Sequence, residues 1–363
     1  MPRVWEVPVP DSTRVRDARV AAEEAAVLAG LDESRTAAAA LVATELATNL
    51  LKYAQDGRLL VEVVPPPRAP YGHGDPAPVV QMTAVDHGPG IADVAAARRD
   101  GFSTSGSLGA GLGTCRRAAD EFHLHSVIGR GTVALARLGA TVPRPGAVRA
   151  EEDDTLPYAG AVRAGGVTVP YAGAEYSGDA WSWAGAGDLV TLLLADGLGH
   201  GREAARASSA AVETLHRSAR LTPTELLRRL DTALRGTRGA AVAVAQLDLR
   251  AGRLRFCGIG NVGARLREGD SWRHLLSRPG IVGVHRPTTL PETEVAWAPD
   301  RLLVLHSDGL PSRWAPPGAA ALPTAADPAV TAALTVRDTG SSASPVRDDT
   351  TVAVLTSAPP DRP

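Results

Sequence analysis

The chain has 363 residues, and its 38 Lys and Arg against 40 Asp and Glu give a formal net charge of -2, which excludes a general attraction to nucleic acid. A hydrophobic fraction of 44% and a charged fraction of 21% are typical of a folded, soluble protein and exclude an intrinsically disordered one. No apolar stretch approaches the roughly 18 to 20 residues that span a bilayer, and the N-terminus lacks the apolar core of a signal peptide, so we expect a cytoplasmic protein without a membrane partner.

Two residue types are scarce. Lys52 is the one lysine among the 38 basic residues. A GC-rich coding sequence, which favours arginine, explains the general bias but not why a lysine is kept at this position. The two cysteines, Cys115 and Cys257, are too few for a disulfide framework or a zinc cluster.

The length suggests two domains of about 100 to 200 residues each. A segment rich in proline, glycine and acidic residues separates two regions with different patterns, and it predicts a linker over residues 141–163. We therefore predict an N-terminal domain over 1–140, a C-terminal domain over 164–357 and a short tail over 358–363.

The first region predicts two long helices followed by strands. Residues 5–9 alternate like an edge strand interrupted by prolines. Helices are predicted over about 12–28 and 34–54, each preceded by a capping Asp or Ser. Strands are predicted over 59–64 and 79–85, with a loop rich in proline and glycine between them.

The second region is rich in strands. Helices are predicted over about 202–220 and 223–234. The predicted strands are 167–171, 189–195, 240–247, 253–259, 302–305 and 351–355. This order predicts an α+β fold.

The second predicted helix carries TELATNLLKYA, in which Glu45, Asn49 and Lys52 stand at i, i+4 and i+7 and share one face. Asn49 offers a neutral oxygen ligand that suits Mg²⁺, and Lys52 offers a point charge for a phosphate. Glu45 can accept a proton from an attacking hydroxyl or water. The face therefore suits a metal–phosphate group, and the alternative is a solvated polar stripe.

Two glycine-rich segments favour the nucleotide hypothesis. The strand over 79–85 runs into DHGPGI at residues 86–91, where an acidic residue can hold an exocyclic amine while backbone N–H groups approach the ligand. The segment GSLGAGLG at residues 106–113 leads into a helical pattern that extends to about residue 121. Glycines at a helix N-terminus can form an anion cradle.

These three segments resemble the N box and the two glycine boxes of the Bergerat-fold ATPases, the superfamily of gyrase, MutL and the histidine kinases. Over residues 4–138 the wording is most similar to the anti-sigma regulatory serine/threonine kinases of the RsbW/RsbT type. The resemblance implies an α/β sandwich with helices on one mixed sheet, and ATP with Mg²⁺ as the cofactor. It implies that Asn49 binds Mg²⁺, Asp86 reads adenine, Gly88 and Gly90 shape the loop, Gly109, Gly111 and Gly113 contact the phosphates, Glu45 is the base and Lys52 contacts a phosphate. No helix with a phospho-acceptor histidine precedes the N box, which disfavours a histidine kinase, and His87 is interpreted as a loop residue.

Four motifs in the second region place aspartates beside small residues or strands. They are Asp179 after Ser177-Gly178, Asp196-Gly197 after one apolar run, Asp308-Gly309 after another, and Asp348-Asp349 before a third. Strands that each end near an aspartate can gather carboxylates at one sheet edge, where like charges need cations. Two divalent ions would stabilise the cluster and activate water for attack on phosphorus, and the lack of zinc-type spacing favours Mg²⁺ or Mn²⁺. The alternative is a set of ordinary Asp-Gly turns.

The four motifs resemble the metal-dependent PPM-type serine/threonine phosphatases, in the SpoIIE-like branch and most closely of the RsbX type, over about residues 164–356. The resemblance implies an αββα sandwich. It implies that Asp196 bridges two metals, Gly197 supplies a backbone carbonyl, Asp308 and Asp348 ligate one metal, and Asp179 holds metal-bound water. Direct ligation by Asp349 is left open, as are the roles of His200 and His306. No arginine is placed clearly as a phosphate clamp.

The two resemblances together predict a bifunctional bacterial signalling regulator. An N-terminal ATP-dependent serine/threonine kinase would oppose a C-terminal metal-dependent phosphoserine and phosphothreonine phosphatase, with Glu45, Asp196 and Asp308 as catalytic residues. The expected partners are STAS-domain anti-sigma antagonists or stressosome-like proteins of a stress response, with a sigma factor or another switch protein as a further partner. The alternative is a phosphatase gated by an ATP-binding module that transfers no phosphate.

Overall fold

The computed structural model describes residues 3–66, 77–94, 111–140, 162–316, 326–340 and 348–357. These residues form three five-stranded sheets and six α-helices. The first sheet comes from the N-terminal half of the chain, and the other two come from the C-terminal half. None of the helices in this described part is long and apolar enough to cross a membrane.

The N-terminal half forms one sheet with helices on one face. Its elements are β1 (Val4–Pro8), α1 (Thr13–Leu28), α2 (Glu33–Tyr53), β2 (Arg58–Val64), β3 (Val79–Val85), α3 (Gly111–Ala118), β4 (Glu121–Val127) and β5 (Gly131–Gly139). The strand order is β1-β2-β3-β5-β4, so β1 is an edge strand, which confirms the expectation from its prolines.

All neighbouring strands of this sheet run antiparallel, which corrects the mixed sheet that the resemblance implied. The connections explain the difference. Between β1 and β2 the chain passes through α1 and then returns through α2 to the end of the sheet where β1 finished. Strand β2 therefore runs antiparallel to β1. The crossover through α3 makes β4 run in the same direction as β3, but β5 lies between them.

The predicted helix starts are confirmed, and one predicted helix end is wrong. The Asp32 side chain caps α2 by accepting a hydrogen bond from the Arg35 N–H at 2.8 Å. Helix α3 ends at Ala118, before the predicted end near Glu121, because Glu121 begins a strand that pairs with β5. The pairing of β4 with β5 offers its backbone groups a complete ladder, which a longer helix would remove.

The C-terminal half forms two stacked sheets with helices on both outer faces. Its strands are β6 (Val162–Val169), β7 (Asp179–Ala186), β8 (Leu189–Gly197), β9 (Ala240–Asp248), β10 (Arg253–Ile259), β11 (Gly263–Glu268), β12 (Ser271–Leu275), β13 (Thr293–Ala296), β14 (Leu302–His306) and β15 (Thr350–Ser357). Its helices are α4 (Arg202–Arg217), α5 (Pro223–Ala233) and α6 (Pro328–Thr339). The sheet orders are β13-β10-β9-β8-β7 and β12-β11-β14-β15-β6, and the αββα sandwich is confirmed.

Three apolar layers hold this half together. One lies between the two sheets, where Leu192 and Phe256 pack with Leu303 and Leu355. A second lies between the β13-β10-β9-β8-β7 sheet and helices α4 and α5. A third surrounds α6, whose residues from Pro328 to Arg337 are all buried. The sequence analysis missed α6, because a helix that is buried on every side has no amphipathic period.

The two halves share the third layer. The face of the N-terminal sheet that carries no helices of its own contributes Leu60, Val85, Val133 and Leu135 to the apolar cluster around α6. Polar side chains cross the same contact, since Arg137 on β5 pairs with Asp327 at the start of α6. The contact therefore continues the protein core from one half into the other.

Candidate functional site

Helix α2 carries the first candidate site. Glu45 and Asn49 are partly buried on α2, and Lys52 is exposed in its last turn. The Nδ2 atom of Asn49 is buried and has no hydrogen-bond partner among the described residues. A buried amide without a partner is costly in a folded protein, so this group points to a ligand or to ordered water.

The start of α3 lies against this face of α2. A Cβ atom added to Gly111 would lie 3.1 Å from Glu45 Oε2 and 3.3 Å from both amide atoms of Asn49. Gly113 is buried in the same first turn. The fold thus brings the N-terminus of α3, a site suited to anions, to the predicted metal and base residues. Gly109 lies outside the described residues.

The loop after β3 forms the third part of the site. Asp86 is nearly buried, and its Oδ1 accepts a hydrogen bond from the Gly88 N–H at 2.7 Å. Burial raises the pKa of Asp86, while that hydrogen bond opposes the shift. A Cβ on Gly88 would lie 2.8 Å from Tyr53 O, and one on Gly90 would lie 2.3 Å from Val127 O. Both positions therefore require glycine, since Gly88 lies against the end of α2 and Gly90 lies against the end of β4.

These features fit an adenine nucleotide with Mg²⁺. The amide of Asn49 is left without a partner, glycine backbone faces Glu45 and Asn49, and a shielded carboxylate at Asp86 is available to an exocyclic amine. The structure brings Glu45, Asn49 and Gly111 together, and it packs the loop of Asp86 and Gly88 against the end of α2.

The second candidate site begins with two aspartates on neighbouring strands. Asp179 on β7 is paired directly with Asp196 on β8. Asp179 is 1% exposed, and neither of its carboxylate oxygens has a hydrogen-bond partner among the described residues. Burial and the Asp196 charge raise the pKa of Asp179 well above its usual range. Two neighbouring carboxylates, one buried and one partly buried, repel each other when both are charged, and bound cations would stabilise the charged pair.

The other C-terminal sheet supplies two more aspartates. Asp308 follows β14 and Asp348 precedes β15, and these strands are antiparallel neighbours, so both residues lie at the same end of the sheet. The end is fixed by the Ser307 N–H, which donates to Thr351 O at 3.0 Å. Burial raises the pKa of Asp196 to about 7, and the Asp308 and Asp348 carboxylates add to the shift. The ends of the two sheets meet, because the Gly178 N–H just before β7 donates to Asp349 Oδ2 just before β15 at 2.8 Å.

Glycine and amide groups complete this second site. A Cβ on Gly197 would lie 2.2 Å from Ala204 O, so only a glycine at position 197 allows the two backbone segments to lie this close together. Asn261, in the loop after β10, donates a hydrogen bond to Asp308 Oδ2. No three aspartates within the described ranges bring oxygens within 4.8 Å of one another.

Asp349 has a backbone-holding role. Its Oδ1 accepts from the Tyr171 N–H and its Oδ2 from the Gly178 N–H, both at 2.8 Å. With both oxygens engaged, Asp349 fixes the segment that leads into Asp179. The sequence left its role open, and this geometry favours support over direct ligation.

The two histidines beside the aspartates differ. His306 packs edge-on against Trp314 with ring centroids 5.0 Å apart, and burial lowers its pKa to about 4. A Cβ on Gly263 would lie 2.2 Å from His306 Nε2, so the ring fills a tight space and is structural. His200 is exposed, and its ring lies 5.9 Å from that of Tyr171.

Sequence reasoning assigned no role to an arginine beside the loop that follows Asp196. Arg238 is exposed, and a Cβ on Gly199 would lie 2.9 Å from its Nη1 atom. The Leu198 N–H donates to Gly239 O at 3.0 Å and ties the two loops together. A cavity of about 490 Å³ lies beside them, lined in part by Leu198 and Asn261. The signal available in the sequence was the Arg238-Gly239 pair before β9, but the sequence alone did not show that Arg238 lies beside Gly199.

One further cluster contains residue types that can bind a metal ion. Glu121, His123 and Asp327 have ligand atoms within 4.8 Å of one another. Arg137 and Arg163 already pair with Asp327, at 2.7 Å and 2.9 Å, and they hold its pKa well below its usual range. The cluster is therefore a neutralised ion-pair network between the two halves.

Comparisons with known proteins divide the chain in two. Residues 9–137 match the family model of the histidine kinase-like ATPase domain, and residues 186–357 match that of stage II sporulation protein E (SpoIIE). The serine/threonine-protein kinase RsbT of Bacillus subtilis (strain 168) is 45% identical over 89 residues. That match covers 24% of this chain and 61% of the kinase, so the chain spans less than two thirds of that relative.

Two solved structures are similar to about half of the chain. One comes from a study of the bacterial stressosome as a modular system adapted to control secondary messenger signaling, with 29% identity, a TM-score of 0.47, and coverage of 53% of this chain and 98% of that one. The other is RsbX in complex with magnesium, with 17% identity, a TM-score of 0.45, and coverage of 55% and 96%.

Proposed function

Because the chain joins a histidine kinase-like ATPase domain to a SpoIIE-type phosphatase domain, we propose that it is a bifunctional signalling regulator. The N-terminal domain, over residues 1–140, transfers the γ-phosphoryl group of ATP to a serine or threonine of a partner. The C-terminal domain, over residues 164–357, removes phosphate from phosphoserine or phosphothreonine. The proposal places the protein in the cytoplasm, where ATP and the partner are available.

The observation that carries the phosphatase assignment is the direct pairing of the buried Asp179 with the partly buried Asp196, together with the unpartnered oxygens of Asp179. Together with Asp308, Asp348 and the Gly197 carbonyl, these carboxylates would hold two Mg²⁺ or Mn²⁺ ions. When bound, the ions supply Lewis acidity toward a phosphoryl oxygen and lower the pKa of water. The chain's own part is positioning: Asn261 orients Asp308, and Asp349 holds the backbone before Asp179.

Substrate binding at this site is assigned to Arg238 and the neighbouring cavity. A guanidinium beside the glycine loop can form charge-assisted hydrogen bonds to a phosphate. The cavity of about 490 Å³ offers room for the residues that flank a phosphorylated side chain.

The kinase assignment is supported by the packing of Gly111 against Glu45 and Asn49. Asn49 would hold Mg²⁺, Lys52 would contact a phosphate, and Asp86 would accept a hydrogen bond from the adenine amine. Gly88, Gly90, Gly109, Gly111 and Gly113 would let backbone N–H groups approach the nucleotide. Glu45 would take the proton from the attacking hydroxyl of the partner.

The partner class is inferred from the two families. An RsbT-like kinase half joined to a SpoIIE-type half suits a STAS-domain anti-sigma antagonist or a stressosome-type protein as the common substrate. A sigma factor or another switch protein would then respond to the phosphorylation state.

The phosphatase assignment is tested with Asp196→Ala and Asp308→Ala. Both variants should lose Mn²⁺-dependent hydrolysis of p-nitrophenyl phosphate and of a phosphorylated STAS-domain protein, while ATP binding remains intact. Asp270→Ala removes an exposed aspartate in the turn between β11 and β12 and serves as the matched control. Normal turnover in both active-site variants would refute the site.

A second candidate function is a phosphatase gated by an ATP-binding module that transfers no phosphate. It is favoured by the contact between the Asp86 loop and the C-terminal half, where His87 lies 3.0 Å from Arg337 O. Radiolabelled ATP with the STAS-domain partner separates the two functions. Labelled serine or threonine supports the kinase, whereas tight ATP binding without label supports the gating module.

A further inference from the structure

The loop assigned to adenine touches the phosphatase half directly. The Nε2 atom of His87 lies 3.0 Å from Arg337 O and 3.2 Å from Gly340 O, at the C-terminal end of α6. Both neighbours are carbonyl oxygens, which only accept, so Nε2 carries the proton and donates. The last carbonyls of a helix have no partner within the helix, and the His87 ring satisfies two groups at this end.

Successive residues of the loop serve opposite sides. Asp86 is held by the Gly88 N–H next to the end of α2, whereas His87 reaches across to α6. The backbone between them is fixed, because the Asp86 N–H donates to Thr132 O and the His87 N–H donates to Gln55 O. A ligand at Asp86 and the contact of His87 with α6 would therefore restrain the same short segment of backbone.

Helix α6 is a rigid connector on the phosphatase side. Its first turn is held by Asp327, which accepts hydrogen bonds from Arg137 and Arg163, and its body is buried against β6 and β15. Its far end, at Gly340, precedes the candidate metal ligand Asp348 by eight residues of chain.

We propose that His87 is a positioning residue that links the nucleotide loop to the phosphatase site by holding the C-terminal end of α6. This inference rests on the proposed function of both halves. Nucleotide at Asp86 immobilises the loop and favours the arrangement in which His87 holds α6 and the aspartates are gathered. ATP therefore raises phosphatase turnover, by about fivefold or more if the coupling lies in the usual allosteric range.

The test uses the full chain with Mn²⁺, p-nitrophenyl phosphate and a non-hydrolysable ATP analogue, so that phosphoryl transfer plays no part. The analogue should raise kcat of the wild type. His87→Leu should still bind the analogue, but its kcat should no longer respond to the analogue. His87→Gln, whose side-chain amide can donate to the same carbonyls, should recover most of the response.

His274→Leu makes the same change at an exposed histidine of β12 and should respond like the wild type. The inference is overturned if saturating analogue leaves the wild-type kcat unchanged, or if His87→Leu keeps the full response. Failure of the proposed function looks different, because the wild type would then show no phosphatase turnover or no nucleotide binding, and the coupling would fall with it.

Discussion

Removing the Asp327 carboxylate should destabilise both halves of the protein together. Asp327 is 2% exposed, and its oxygens accept hydrogen bonds from Arg137 at 2.7 Å and 2.9 Å and from Arg163 at 2.9 Å. It also caps α6 through the Ala329 N–H at 2.9 Å. Breaking a buried pair by removing one partner costs about 3 to 5 kcal/mol, and losing a cap costs about 1 kcal/mol.

The lower part of that range applies to Asp327→Ala, because Arg137 keeps a second partner. Its Nη1 atom also lies 2.7 Å from Glu121 Oε2. We therefore expect a loss of about 3 kcal/mol, which lowers the urea midpoint by about 1 M at a slope of about 3 kcal/mol per M. Glu294→Ala is the control, since its pairs with Arg253 and Arg255 are exposed and each is worth less than about 1 kcal/mol.

Tryptophan fluorescence during urea denaturation reports on the unfolding of both halves. Trp5 lies in the N-terminal sheet, and Trp181, Trp183 and Trp297 lie in the core of the C-terminal half. Single-tryptophan variants that retain one or the other should unfold at the same urea concentration, and Asp327→Ala should shift both curves equally. The ion pairs lower the pKa of Asp327, so the difference between variant and wild type should persist above about pH 4 and shrink below it. Separate transitions in the wild type, or a loss no larger than that of Glu294→Ala, would refute a shared core.

Two other predictions concern single residues. Burial raises the pKa of Glu62 to about 8 in the folded protein from 4.5, so its contribution to stability is fully present below pH 4.5 and is lost as the pH rises through 8. We therefore expect the free energy of unfolding of Glu62→Gln to exceed that of the wild type by roughly 3 kcal/mol at pH 7 and to equal it at pH 4. Equal stability of the two proteins at both pH values would contradict the raised pKa of Glu62. Lys52→Arg should lower the transfer of radiolabelled phosphate to the proposed STAS-domain partner at least about tenfold, because a guanidinium cannot replace a compact ammonium at a metal-bound phosphate. Full transfer activity in this variant would refute the role of the lone lysine.

The sequence predicted most of the elements that carry the two sites. Regular apolar periods located α1, α2 and most of the long strands to within a few residues. Asp196 and Asp308 were identified because each follows an apolar run, and Asp348 because it precedes one. The antiparallel pairing of β14 with β15 brings Asp308 and Asp348 to the same end of the sheet. What the sequence analysis did not supply was register, such as the direct pairing of Asp179 with Asp196. It did not predict β7, so it could not see the hairpin in which Ala186 of β7 pairs with Leu189 of β8 next to the turn.

The contact between the halves was missed although a signal was present. Strands β2 and β3 are buried on both faces, and their sequences RLLVEVV and VVQMTAV are nearly continuous apolar runs without the alternation of a half-exposed sheet. Two polar residues, Glu62 and Gln81, interrupt these runs. In the structure Gln81 donates to Gly166 O at 2.9 Å and Glu62 accepts from the Thr168 N–H at 3.0 Å, both in the other half.

This contact changes the physical basis for combining the two activities. A flexible linker would raise the effective concentration of each site at a shared partner. A sheet face buried against α6, and an arginine–carboxylate network that fixes its direction, instead hold the Asp86 loop and the aspartate site at a constant separation. A partner that occupies one site must then release before it reaches the other, unless its own length spans the gap. Under that geometry, control depends on which site is active at a given moment, and the hydrogen bonds from His87 to the end of α6 are where nucleotide binding can influence that choice.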